Sequence, residues 1–226
     1  MKINHIFFDL DHTLWDFETN SDIAFRTIFN KNNVHVNIDK FLNYYRNINQ
    51  KYWKLYREER VSKEALRFGR LKDTFDKINF KIKDEVINNL AVDYIEVLPD
   101  SNLLFDGAHD ILAHLFPNYE LHIITNGFNE VQYKKIEKSD LTKYFKTIIT
   151  SEDVGVKKPN PIIFEYALEK TNAKSTESVM IGDNWEADIM GAKNAGFDVI
   201  YCNFNNESVS ESIKSVSNLI EIKNYL

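Results

Sequence analysis

The 226-residue chain reads as an α/β protein, a parallel sheet with helices on both faces, interrupted after its first strand by an inserted all-α segment. Three observations predict this. Apolar runs too short for helices and rich in branched or aromatic residues recur at 3–8, 121–124, 147–150, 178–181 and 197–202. From Pro99 onward these runs alternate with helix-period segments, the pattern of right-handed strand–helix–strand crossovers. Between Leu14 and about Leu98, in contrast, Gly69 is the only glycine and apolar residues recur at helical spacing.

The first run ends in Asp9 and Asp11. Residues i and i+2 of a strand share a face, so both carboxylates can converge on one spot. Buried acids need a partner or a metal, and the carboxyl end of a strand is where open α/β sheets place ligands. The inserted segment follows. Its stripes are Phe25, Ile28 and Phe29; then Phe41, Tyr44, Tyr45 and Ile48; then Tyr52, Trp53 and Tyr56; then Leu66, Phe68, Leu71 and Phe75; and finally Val86, Ile87, Leu90, Tyr94 and Ile95. They predict four or five amphipathic helices whose aromatics are mainly core. The domain boundaries follow: residues 1–16 and 99–226 form the α/β core, and 17–98 the helical insertion.

A helix through Ile111, Leu112 and Leu115 stops near Pro117, and a charged helix is expected over 131–137. The second strand ends in Thr125-Asn126-Gly127. The third is followed by Lys157-Lys158-Pro159, with Pro161 in a first helical turn. The fourth ends in Gly182-Asp183, with Glu186 and Asp188 just beyond. Four acids, Asp9, Asp11, Asp183 and Asp188, can hold a divalent cation, while Thr125 and Lys158 can hold phosphate oxygens. The serine-rich stretch 208–217 is expected to pack loosely before a last apolar pair, Leu219-Ile220.

A net charge of −6 argues against a nucleic-acid polymer as partner, which calls for a basic face. The single cysteine, Cys202, excludes an internal disulfide and fits a reducing compartment. The first apolar run is too short for a secretory signal or a membrane span. A cytoplasmic protein, monomer or homodimer, is expected.

The ordered set Asp9-x-Asp11-x-Thr13, Thr125-Asn126, Lys158-Pro159 and Gly182-Asp183-x4-Asp188 resembles the four motifs of the haloacid dehalogenase superfamily. Asp188-Ile189-x-Gly191-Ala192-x2-Ala195-Gly196 resembles the helix after the fourth motif. Such short acidic patterns recur by chance, but four in order behind strands do not. The resemblance implies a Rossmann-like core with a helical cap. It assigns Asp9 as the nucleophile that forms an acyl phosphate, and Asp11 as the acid that protonates the leaving oxygen and then activates water.

Thr125, Asn126 and Lys158 stand where the family binds phosphate, Asn126 and Gly127 through backbone N–H groups. Mg²⁺ is the implied cofactor, held by Asp9, Asp183 and the Asp11 backbone carbonyl, with Asp188 reaching it directly or through water. Asp11 separates phosphatases from the dehalogenase branch, because an alkoxide leaving group must be protonated. The stretches Phe7-Phe8-Asp9-Leu10-Asp11-His12-Thr13-Leu14-Trp15-Asp16-Phe17 and Val154-Gly155-Val156-Lys157-Lys158-Pro159 look most like the pyrimidine 5′-nucleotidase group. The expected partner is therefore a small phosphorylated metabolite, a nucleoside monophosphate. A phosphoglycolate phosphatase-like enzyme or other small-metabolite phosphatase is the alternative, and a catalytically inert binding module the alternative of another class. Trp15 and Phe17 are candidates to wall the substrate pocket, and His12 is read as a lining residue.

Overall fold

The computed structural model describes residues 2–206, 208, 210 and 212–226. The chain divides into two compact units, one of residues 1–17 with 102–226 and one of residues 18–101.

The first unit is built on a six-stranded sheet. Its strands are β1 (His5–Phe8), β2 (Glu120–Thr125), β3 (Phe145–Thr150), β4 (Ser178–Gly182), β5 (Asp198–Cys202) and β6 (Lys214–Val216), in the spatial order β3-β2-β1-β4-β5-β6. All neighbouring pairs are parallel. A parallel sheet needs cover on both faces, which is why β4 is buried along its whole length and β2 along all but its first residue. Phe7, Met180, Ile124, Ile149 and Val199 pack in one cluster with Ile163, Phe164 and Ala167, which come from the helix Pro161–Thr171. That helix starts as its sequence suggests, with Pro161 in its first turn and Asn160 capping the Ile162 N–H at 3.0 Å.

β6 was not legible. It falls inside the stretch expected to pack loosely, yet it pairs Lys214, Ser215 and Val216 with β5, and Val216 is buried. Val209 and Glu211 of that stretch lie outside the described residues.

Strand order creates the feature that matters for function. From β1 the chain adds β2 and β3 on one side, then crosses back to lay β4 and β5 on the other. Connections diverge from β1 and β4 in opposite directions, leaving a crevice beyond their carboxyl ends, the usual ligand site of such sheets.

The second unit holds four helices, α1 (Phe17–Lys31, its first residue belonging to the other unit), α2 (Ile38–Arg57), α3 (Lys63–Lys77) and α4 (Asp84–Val97). The stripes around Phe41 and Tyr52 belong to one helix, α2. Asn37 caps α2 by accepting the Lys40 N–H at 2.9 Å, and Ser62 caps α3 by accepting that of Ala65 at 3.2 Å. Most of the aromatics are core, as their spacing suggests, while Tyr44, Tyr52, Trp53 and Phe68 are half-buried. Phe25 sits 4.5 Å from Tyr45 and 4.6 Å from Tyr94 between ring centroids, and Phe41 lies 5.0 Å from Phe75. Among the described residues, no helix is long and apolar enough to cross a membrane.

Candidate active site

Asp9 follows the last residue of β1, and its N–H continues the ladder to the Ile181 carbonyl at 2.9 Å. Its carboxylate is therefore held by backbone pairing at the crevice. Lys158 Nζ donates to Asp9 Oδ1 at 2.7 Å and to the Ile124 carbonyl at 2.6 Å, and lies 2.7 Å from Asp188 Oδ1. Lys158 is itself placed by Asn126. That amide accepts the Lys158 N–H at 2.8 Å and donates to the Lys158 carbonyl at 2.9 Å. The Asn126 side chain thus builds the lysine loop, a use that its expected place among the phosphate-binding groups did not foretell.

Asp183 accepts the Thr13 hydroxyl at 3.1 Å. Thr13 can reach it because the chain doubles back after Asp11 through His12, which takes a left-handed φ of 62°. The His12 ring rests 4.9 Å from that of Phe17. Asp188 sits in a wide π-wound turn, Trp185–Met190, and accepts the Asn184 N–H at 2.9 Å. Position 182 must be glycine, since a Cβ there would lie 2.4 Å from Asp188 Oδ2. Glu186 is exposed.

Asp9, Asp183 and Asp188 each offer a carboxylate oxygen within 4.8 Å of the others. Lys158 is the cation paired with two of them. Burial, with the neighbouring carboxylates of Asp188 and Asp183, pushes Asp9 well above the usual carboxylate range despite Lys158. Burial and Asp188 push Asp183 up to about 8, against the Thr13 hydrogen bond. Burial alone would lower Lys158, but the Asp188 and Asp9 carboxylates outweigh it and leave Lys158 raised. An all-oxygen donor set with this surplus of negative charge fits a hard divalent cation, which would relieve the repulsion.

The side chain of Asp11 is not in that group. Lys135 Nζ donates to its Oδ1 at 2.5 Å and Gln132 Nε2 to its Oδ2 at 3.1 Å. Gln132 Nε2 also donates to Thr125 Oγ1 at 2.7 Å, and the Gly127 N–H reaches the same oxygen at 3.2 Å. The Gly127 N–H, expected to face a phosphate oxygen, donates to Thr125 in this structure. Trp15 is fully buried and Phe17 nearly so, with the Lys135 ammonium 4.1 and 5.3 Å from their ring centroids. The ring faces expected to wall a pocket cover this ammonium.

The sequence reading assigned 131–137 only as a charged helix and singled out neither Gln132 nor Lys135. They lie on the helix Asn129–Lys138, on the same buried stripe as Val131 and Ile136. Two polar residues on an otherwise apolar stripe were the available signal.

A second metal-capable group, His5, Glu120 and His122, lies at the amino-terminal ends of β1 and β2. His122 Nδ1 is buried without a hydrogen-bond partner among the described residues, and Nε2 faces His5 Nδ1 at 3.3 Å. A metal on Nε2 would force the proton onto that partnerless Nδ1, so the group suits an imidazole pair better than a metal.

An acidic group with one buried lysine, at the switch point of a parallel sheet, defines a hydrolase of the kind that the four motifs suggested. The haloacid dehalogenase-like hydrolase family matches residues 3–196, and the chain belongs to that family. It is 33% identical over 233 residues to the pyrimidine 5′-nucleotidase YjjG of Escherichia coli, covering 100% of this chain and 99% of the relative. It is 33% identical over 208 residues to the pyrimidine 5′-nucleotidase PynA of Streptococcus pneumoniae, covering 90% and 85%. Among solved structures, that of the magnesium-bound HAD-hydrolase YfnB of Bacillus subtilis superposes with a TM-score of 0.89 at 27% identity, covering 100% of this chain and 99% of the other.

Proposed function

We propose that this chain is a Mg²⁺-dependent phosphomonoester hydrolase that works through an aspartyl phosphate on Asp9 and acts on pyrimidine nucleoside 5′-monophosphates. The observation that carries the reading is the separation of two neighbouring carboxylates. Asp9 lies in the acidic group with Lys158, while Asp11, two residues on, is held apart by Lys135 and Gln132. Two carboxylates in different surroundings suit two roles.

Asp9 attacks phosphorus, and the bond to the leaving oxygen breaks as Asp11 donates its proton to that oxygen. Asp11, now a carboxylate, takes a proton from the water that attacks phosphorus, and the bond to Asp9 breaks. The Thr125 hydroxyl holds a phosphoryl oxygen. Lys158 fixes Asp9 and adds positive charge beside the phosphoryl group. Asp9, Asp183 and Asp188 would hold Mg²⁺, which would supply the positive charge needed for a dianionic ester to come close to Asp9. A dehalogenase attacking carbon would have no need of Asp11.

Relatives that are nucleotidases support the substrate class. In this reading the helical unit is the cap that selects the leaving group, and the enzyme works on free nucleotides in the cytoplasm.

The deciding experiment is a Mg²⁺-loaded assay of purified protein against uridine, cytidine and thymidine monophosphates, ribose 5-phosphate, phosphoglycolate and nitrophenyl phosphate. The reading expects the nucleotides to lead in kcat/KM. A lead by phosphoglycolate overturns the substrate assignment, and hydrolysis of none of the esters overturns the phosphatase reading.

A further inference from the structure

The helix Asn129–Lys138 begins four residues after Thr125 and turns two polar side chains inward, Gln132 and Lys135, each 1% exposed. Burying them is costly. Among the described residues Gln132 Oε1 has no hydrogen-bond partner, and a buried carbonyl left so destabilises a fold. Reversing the amide would aim Oε1 at the Asp11 carboxylate, so the N–H₂ side must face the site. Position 127 must also be glycine to admit Gln132, because a Cβ there would lie 2.4 Å from the Gln132 amide carbon. A methionine at 132 would fill similar space with no unpaired carbonyl, so packing alone does not account for glutamine.

The hydrogen bonds give a functional account. A hydroxyl has two acceptor lone pairs and one proton. Thr125 Oγ1 accepts from Gln132 Nε2 and from the Gly127 N–H, which leaves its proton to donate. A hydroxyl restricted to donating, at the carboxyl end of β2, is matched to an anionic oxygen. Asp11 is gripped through both oxygens, Oδ1 by Lys135 and Oδ2 by Gln132. Trp15 and Phe17 in turn cover the Lys135 ammonium with their rings, an attraction that helps keep it in place.

We propose that Gln132 and Lys135 are positioning residues for the reaction, bracketing Asp11 and aiming the Thr125 proton at the phosphoryl group. The inference rests on the phosphatase reading above. Gln132 serves Thr125, a group common to every ester, as well as Asp11, whereas Lys135 serves the proton-transferring acid. An alkyl ester needs a proton to depart and a nitrophenyl ester does not, so the two variants should differ in kind.

The test compares Gln132→Met and Lys135→Met with the wild type on nitrophenyl phosphate and on the fastest alkyl ester of the panel, together with melting temperatures. Gln132→Met should melt at or above the wild-type temperature and lose about tenfold or more in kcat/KM on both esters. Lys135→Met should lower the ratio of alkyl to nitrophenyl kcat/KM about tenfold. It should also show a burst of nitrophenol before slow turnover, because water activation suffers too. Gln132→Met activity within twofold of wild type on both esters overturns the proposal. So does a loss in both variants that follows a fall in melting temperature while the ester ratio stays constant. Should Lys135→Met not melt cooperatively, Gln132→Met decides alone. A wild-type protein that hydrolyses no ester overturns the phosphatase reading itself, and is distinguished from the other failures by that inactivity.

Discussion

The two ends of β1 carry polar groups of similar make-up and opposite character. At the amino end, His5, Glu120 and His122 gather beside Lys146, whose Nζ lies 2.7 Å from Glu120 Oε1. The Lys146 and Glu120 side chains are 64% and 42% exposed, so water screens their pair. At the carboxyl end, the side chains of Lys158 and Asp188 are each 1% exposed. There the negative charge exceeds the positive, and little solvent is left to soften the imbalance. The contrast teaches that clustering of ionisable groups does not mark a site. Uncompensated charge held by a rigid backbone does.

Breaking the carboxyl end should cost most at Asp9. Asp9→Asn keeps the fold but cannot form an acyl phosphate, so turnover should fall by on the order of 10⁴-fold or more, while His5→Gln at the other end stays within twofold. Steady-state assays on one ester compare them.

Lys158→Met comes next. It leaves buried carboxylates without their cation and should destabilise the fold by about 3–5 kcal/mol in urea melts. Lys146→Ala should cost below about 1 kcal/mol.

Mg²⁺ should then sharpen the contrast. At a hundredfold excess over its Kd, it should stabilise the wild type by about 2.7 kcal/mol. Asp183→Asn should lose most of that gain, and chelator should silence activity. An unchanged melt on adding Mg²⁺ would remove the metal assignment.

The amino end should also show a pH effect confined to stability. Burial, followed by the charge on His5, lowers His122 to about 4, so the folded state keeps it neutral where the unfolded chain takes up a proton. Its share of stability is present above about pH 6.5 and is lost as the pH falls toward 4, by on the order of 2 kcal/mol. His122→Leu should flatten that part of the stability–pH curve and leave activity near neutral pH unaltered.

The convergence of Asp9, Lys158, Asp183 and Asp188 was legible because each sits at or near a strand end, where alternation and parallel topology fix its place. Thr125 was legible for the same reason. Gln132 and Lys135 were not, since side-chain burial on a short helix depends on what packs against it, and their polarity argued for solvent. β6 escaped because Lys214-Ser215-Val216 has almost no strand character of its own. It is held by pairing with β5 and by the contact of Lys214 Nζ with Asp198 Oδ2 at 2.5 Å. The contact of the Trp15 ring with the Lys135 ammonium was not legible either, since a sequence does not show which cation an aromatic face will cover.

The chain leaves the sheet unit at Phe17 and re-enters at Asn102, and backbone contacts stitch these points together. The Asp16 N–H meets the Leu103 carbonyl at 3.1 Å, the Phe105 N–H meets that of Leu14 at 2.9 Å, and Trp15 bridges Leu104. Exit and entry therefore form one seam, closed from the sheet side whatever lies between. Insertions succeed where the ends of the inserted piece meet the host at neighbouring points. The intervening segment can lengthen, shorten or be exchanged for another without shifting the register of β1, so lineages can renovate residues 18–101 while inheriting the carboxylates beyond β1 and β4 unaltered.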